Sequence, residues 1–134
     1  MRFAPMIALA STAALLAASA AGAAPRKTPD ERLAEALKGR TAGAPVDCIY
    51  QNQIRSTQII DRTAILYQVG NILYVNKPRS GAEFLDSGSI LVTDTHSSQL
   101  CSIDIVRLVD QSDPHMPRGT VGLDKFVPYT KPKG

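Results

Sequence analysis

The chain has 134 residues, 44% of them apolar, with 15 basic and 12 acidic side chains. Residues 1–23 hold 17 of the roughly 59 apolar side chains, so the 111 that follow are only about 38% apolar and carry a net charge of about +2. Such a remainder is one small domain, which excludes a multidomain enzyme or a Rossmann-sized cofactor fold and argues against a strongly electrostatic partner. Two His, three Glu and no Trp leave it poor in the usual catalytic side chains.

Met1-Arg2 gives a positive start, residues 6–18 are apolar apart from Ser11 and Thr12, and small residues 20–24 precede Pro25. That order predicts a secretory signal peptide over residues 1–23, cut after Ala23. The apolar stretch is short for a membrane helix, which needs about 20 residues; an uncleaved anchor is the alternative. The expectation is an exported protein, periplasmic or secreted, that does not span the membrane after cleavage.

Residues 24–45 read as a basic leader, a short helix and a linker. Thr28 suits a helix N-cap, Pro29 the first helical position, and Glu31 the third position of a capping box. Leu33 and Leu37 make a narrow apolar stripe, and Gly39 is a natural stop. A helix of about ten residues is marginal alone, so it must dock through those leucines. Arg40 to Pro45 reads as a flexible connector.

Residues 46–130 read as a β-domain. Strands are expected over residues 54–60, 64–69 and 72–75, with a turn at Asp61-Arg62 and a two-residue hairpin loop at Gly70-Asn71. That loop sets a register in which Val69 faces Ile72, Gln68 faces Leu73 and Tyr67 faces Tyr74. Ile65, Tyr67, Val69, Ile72 and Tyr74 then share one face, and Leu66, Leu73 and Val75 the other. With both faces apolar, the hairpin belongs between a second layer and the helix. Residues 76–88 read as a loop, with Phe84 and Leu85 as a plug. Further strands are expected over residues 89–95, 103–109 and 119–127, with a two-proline loop at 111–118. The ending from Pro128, and residues 131–134 above all, reads as frayed. The pattern predicts a mainly β fold, a small antiparallel barrel or sandwich with one short N-terminal α-helix.

Cys48 and Cys101 are the only cysteines. In an oxidising compartment an even count in a small domain reads as a disulfide, and one is expected here. Two separate thiols or a redox pair are the alternatives, although no C-x-x-C spacing favours the latter.

The spacing of Cys48, the string Ile54-Arg55-Ser56-Thr57, Ile60-Asp61 and Asn76 forms one motif set. Leu100-Cys101-Ser102-Ile103-Asp104 and Gly122-Leu123 with Phe126-Val127-Pro128-Tyr129 form another. Over residues 45–130 these resemble a family of small exported proteobacterial proteins classed as a domain of unknown function. The resemblance implies a signal peptide and a compact domain; it implies no activity and carries no site residue across.

Chemistry-bearing patterns are sparse. Asp94-Thr95-His96 and Asp113-Pro114-His115 repeat a D-x-H triplet that could present carboxylate and imidazole together, with Met116 beside the second. Such a set would suit zinc, or copper if Met116 took part; exposed turn residues are the simpler reading. Ser97 and Ser98 follow His96, yet no G-x-S-x-G elbow supports a hydrolase. Tyr67 and Tyr74 could form an aromatic platform, although cross-strand packing is commoner. Asp104 is expected to meet Arg55 or Arg107, or to lie on an exposed face. The scattered basic residues make no nucleic-acid stripe. No catalytic, cofactor or metal residue is assigned. The favoured expectation is an exported non-catalytic β-domain that binds or inhibits a protein or envelope component, or serves a structural role in the envelope. The alternative is a small metal-dependent periplasmic protein or hydrolase using His96 and His115.

Overall fold

The computed structural model describes residues 25–133, so the expected signal peptide lies outside the described residues. The chain first forms a helix, α1 (Pro29–Ala36). Its start follows from local chemistry. Thr28 Oγ1 accepts the Glu31 N–H, the Glu31 carboxylate accepts the Thr28 N–H, and Pro29 fills the first turn. Two residues past Leu37, Gly39 takes a left-handed conformation (φ 75°) that ends the helical run.

Ten strands follow: β1 (Thr41–Ala42), β2 (Cys48–Tyr50), β3 (Ile54–Ile60), β4 (Ala64–Val69), β5 (Ile72–Asn76), β6 (Ser89–Thr93), β7 (Gln99–Cys101), β8 (Ile105–Asp110), β9 (Pro117–Gly122) and β10 (Phe126–Thr130). They make a five-stranded sheet ordered β1-β10-β5-β4-β3, a pair β2-β7, and a three-stranded sheet ordered β6-β8-β9. Every pairing is antiparallel. The fold is mainly β with one helix, and no sheet closes on itself among the described residues.

The β4–β5 hairpin has the register its sequence predicts: Tyr67 faces Tyr74, Gln68 faces Leu73, and Val69 faces Ile72. Its two apolar faces feed two cores. Ile65 and Tyr67 join Ile49, Leu100, Val106, Leu108, Val121, Leu123, Phe126 and Leu85 in the larger cluster, which draws on all three sheets. Leu66, Leu73 and Val75 join Ile60, Ala64 and Leu33 in the second, beneath the helix. Leu33 therefore docks α1, with Ala36 and Leu37 packed beside it. Burying one leucine stabilises the docked state by roughly 1.5–3 kcal/mol, which is enough to hold a helix too short to persist alone.

Three expectations need correction. The connector after the helix is not free of structure: Thr41 and Ala42 pair with Thr130 and Tyr129. Residues 119–127 are not one strand. The chain leaves β9 at Gly122, turns through Leu123-Asp124-Lys125, and enters the other large sheet as β10. The buried Asn76 holds that turn, its amide donating to the Asp124 carbonyl (2.6 Å) and its oxygen accepting the Asp124 N–H (3.1 Å). The turn itself, Leu123-Asp124-Lys125, has no Gly or Pro; a side chain 48 residues away holds it. Finally, Pro128 begins no frayed end; it sits inside β10, opposite Tyr74. The N–H and C=O of a strand residue point to one side. The Pro128 carbonyl accepts the Gly43 N–H at 2.7 Å, so the missing N–H also lies on that side and the β5 ladder loses nothing. Residues 131–133 are exposed and outside any strand, as their composition suggests.

The loop between β5 and β6 is pinned rather than loose. Leu85 is buried, as a plug should be, whereas Phe84 is half exposed. Gly81 allows the loop to lie on β9. It has φ 75°, and a Cβ there would fall 2.1 Å from the Thr120 carbonyl oxygen.

Candidate functional site

Cys48 and Cys101 face each other directly in the β2–β7 pair and are bonded (S–S 2.09 Å). Ile49 and Leu100, the next pair in register, are buried in the larger core. The bridge is thus a structural staple, and no other cysteine is present. It suits an oxidising location.

The D-x-H triplets do not converge on a metal centre. Both carboxylates have other work: Asp94 accepts from Arg107 Nε (3.0 Å) and Nη2 (2.8 Å), and Asp113 accepts the His115 N–H within its own turn (3.1 Å). His96, His115 and Met116 are exposed. Among the described residues, no group of three or more His, Cys, Asp or Glu side chains could hold a metal ion. The loop bearing His115 is pinned at its base. Asp110 takes hydrogen bonds from the Arg118 guanidinium and from the Ser112 and Asp113 N–H groups, which hold its carboxyl below the usual carboxylate range.

Ser97 uses its hydroxyl to close a local turn, donating to the Gln99 carbonyl and accepting the Gln99 N–H. Asp104 meets neither Arg55 nor Arg107. Its carboxylate accepts the Cys101 N–H at 2.7 Å, closing the β7–β8 turn, and a turn residue satisfied by backbone needs no cation. Tyr67 forms no platform: it is buried, edge-on to Phe126 with ring centres 5.8 Å apart. Its hydroxyl has no hydrogen-bond partner among the described residues, and burial pushes the phenol well above its ordinary value.

The fold instead gathers chemistry where the sequence showed only a connector and a tail. Thr41 pairs with Thr130 at the end of the β1–β10 ladder, which brings the flanking Arg40 and Lys131 to one cleft. Arg40 turns its guanidinium onto the carbonyls of Asn71 (3.1 Å) and Tyr129 (3.3 Å), which fixes its position at the tip of the β4–β5 hairpin. Arg40, Lys131, Lys133, Gln68, Asn71, Thr130 and Pro132 line a cleft of about 410 Å³. Among the described residues no carboxylate lines it, and the ion pairs they form use none of its three cations. A phosphate, carboxylate or sulfate group is the natural complement to such a cleft. Its signal was invisible along the chain because Arg40 and Lys131 meet only once β1 and β10 pair.

No family model, curated protein or solved structure matches this chain. Among the described residues no helix is long and apolar enough to cross a membrane.

Proposed function

We propose that the mature chain is an exported, non-catalytic β-domain that binds an anionic component of the cell envelope at the Arg40–Lys131–Lys133 cleft. The observation that carries this reading is the gathering of Arg40, Lys131 and Lys133 in one cleft that, among the described residues, has amide and hydroxyl groups but no carboxylate in its lining. Export rests on the N-terminal signal pattern and is supported by the Cys48–Cys101 bond. The larger core, fed by both large sheets, favours a small sandwich over a barrel. The reading also fits the family of small exported proteins that residues 45–130 resemble. The cleft favours an envelope oxyanion over a nucleic acid because none of its lining residues is an aromatic on which a base could stack.

Vesicle co-sedimentation tests it. The mature chain is expected on phosphatidylglycerol vesicles and not on neutral phosphatidylcholine vesicles, with inorganic phosphate as competitor separating a headgroup from a free-phosphate site. Each basic residue near an anionic surface is worth about 1 kcal/mol, so Arg40→Gln with Lys131→Gln and Lys133→Gln should weaken retention on the order of a hundredfold. Equal retention on both vesicles, or a triple variant that binds as well as wild type, would overturn the assignment.

A further inference from the structure

Two edges end the three-stranded sheet, and only one is protected. β9 carries Pro117, Arg118 and a register shift opposite Leu108/Val109, and Gly122 is bridged by Ser80. At the edges of the five-stranded sheet, β1 has two residues, and β3 is broken by a shift at Ile54/Ser56 beside the exposed Arg55. These are the usual guards against unwanted pairing. β6 has none of them. Its sequence is Ser89-Ile90-Leu91-Val92-Thr93, without charge, proline, glycine or register shift. It pairs with β8 alone, and no further backbone hydrogen bond joins residues 90–93 to another element among the described residues. Its outer side is approached through open space: Ser89, Ile90 and Leu91 line a groove of about 500 Å³ shared with Thr57, Gln58 and Ile59 of β3.

We infer that β6 is a dimerisation edge, pairing antiparallel with β6 of a second copy about a two-fold axis at Leu91. The strand is self-complementary in that register. Ser89 meets the second copy's Thr93, Ile90 meets its Val92, and Leu91 meets Leu91. Hydroxyl thus opposes hydroxyl and β-branched side chain opposes β-branched side chain, the favoured cross-strand pairs. Ile90, 42% exposed in the single chain, gains an apolar neighbour. In the same register Asp94 falls opposite Gly88, and two further steps each way bring His96 opposite the second copy's Asp86. Such a contact is isologous and closes at two, joining two three-stranded sheets into one of six.

Sedimentation velocity of the oxidised chain over a dilution series reads the oligomer directly, and a concentration-dependent dimer is expected. Hydrogen exchange on the same wild-type samples should show the β6 amides, and no other edge, gaining protection as dimer forms. Ile90→Lys places a charge against Val92 twice over and should raise the dissociation constant about tenfold or more. Adding Val92→Glu sets opposite charges across both symmetric contacts and should restore the dimer. A wild-type monomer throughout, β6 protection independent of concentration, an Ile90→Lys dimer of unchanged affinity, or failure of the second substitution to rescue would each overturn the pairing.

Discussion

Replacing Cys48 and Cys101 together with alanine should lower stability by about 4 kcal/mol. The bond closes a loop of 53 residues, and in the chain-entropy treatment that removes about 14 cal/mol/K from the unfolded ensemble, or about 4 kcal/mol at 25 °C. Unfolding entropy near 60 °C is about 2.1 cal/mol/K per residue, so for about 110 residues the midpoint should fall by roughly 15–20 °C. The loss should also have an address. β2 and β7 are three residues each and stand as a separate two-stranded sheet, a size that is marginal without help. Their remaining anchors are Ile49 and Leu100, both in the larger core. Hydrogen exchange should therefore show residues 48–50 and 99–101 opening below the global unfolding energy in the variant, while β4 and β5 keep theirs. Thermal melts of oxidised wild type, reduced wild type and the double variant supply the assay. A fall of less than about 5 °C, or uniform loss of protection across the sheets, would refute the account of the bridge as a staple on an otherwise weak pair.

Four further outcomes follow from the packing. Leu33→Ala should cost about 2–5 kcal/mol and release α1, because Leu33 is the helix's one buried residue; far-UV circular dichroism and exchange at residues 29–36 would report it. Tyr67→Phe should leave stability unchanged or raise it by about 1 kcal/mol in denaturant melts, since it deletes a buried hydroxyl that bonds to nothing among the described residues. The same tyrosine sets an alkaline limit. Its phenol is pushed up in the folded state, so unfolding releases a proton above pH 10; stability should hold below that pH and fall as pH rises through it, less steeply in Tyr67→Phe. Gly81→Ala should destabilise by more than about 2 kcal/mol in the same melts, because a Cβ at that left-handed position meets the Thr120 carbonyl.

The parts of this fold that were legible in the sequence are those written locally. The Thr28–Glu31 box lies within four residues, and the β4–β5 register is dictated by the two-residue Gly70-Asn71 loop. Alternation along those strands then foretold two cores, one on each face. What stayed hidden depends on pairs distant in the chain. The break between β9 and β10 is held by Asn76, and the pairing of β1 is made by β10. Pro128 reads as the start of a frayed ending, yet its missing N–H falls where no ladder bond is needed. The same distance effect concealed the candidate site. A net charge of about +2 spread along 111 residues gives no stripe, but folding carries Arg40 to Lys131 and Lys133 in one cleft. Composition averages over the chain, whereas a ligand meets only the local potential.

The position of β10 bears on when this protein can fold. It lies second in the five-stranded sheet, between β1 and β5, and its Phe126 is wholly enclosed in the larger core. Neither that sheet nor that core can be completed until residues 126–130 are available. A chain threading through a membrane pore from its N-terminus would therefore stay open until residues 126–130 had passed. Late closure by a distant strand slows folding, and for an exported chain that delay keeps the polypeptide in the only form a narrow pore can carry.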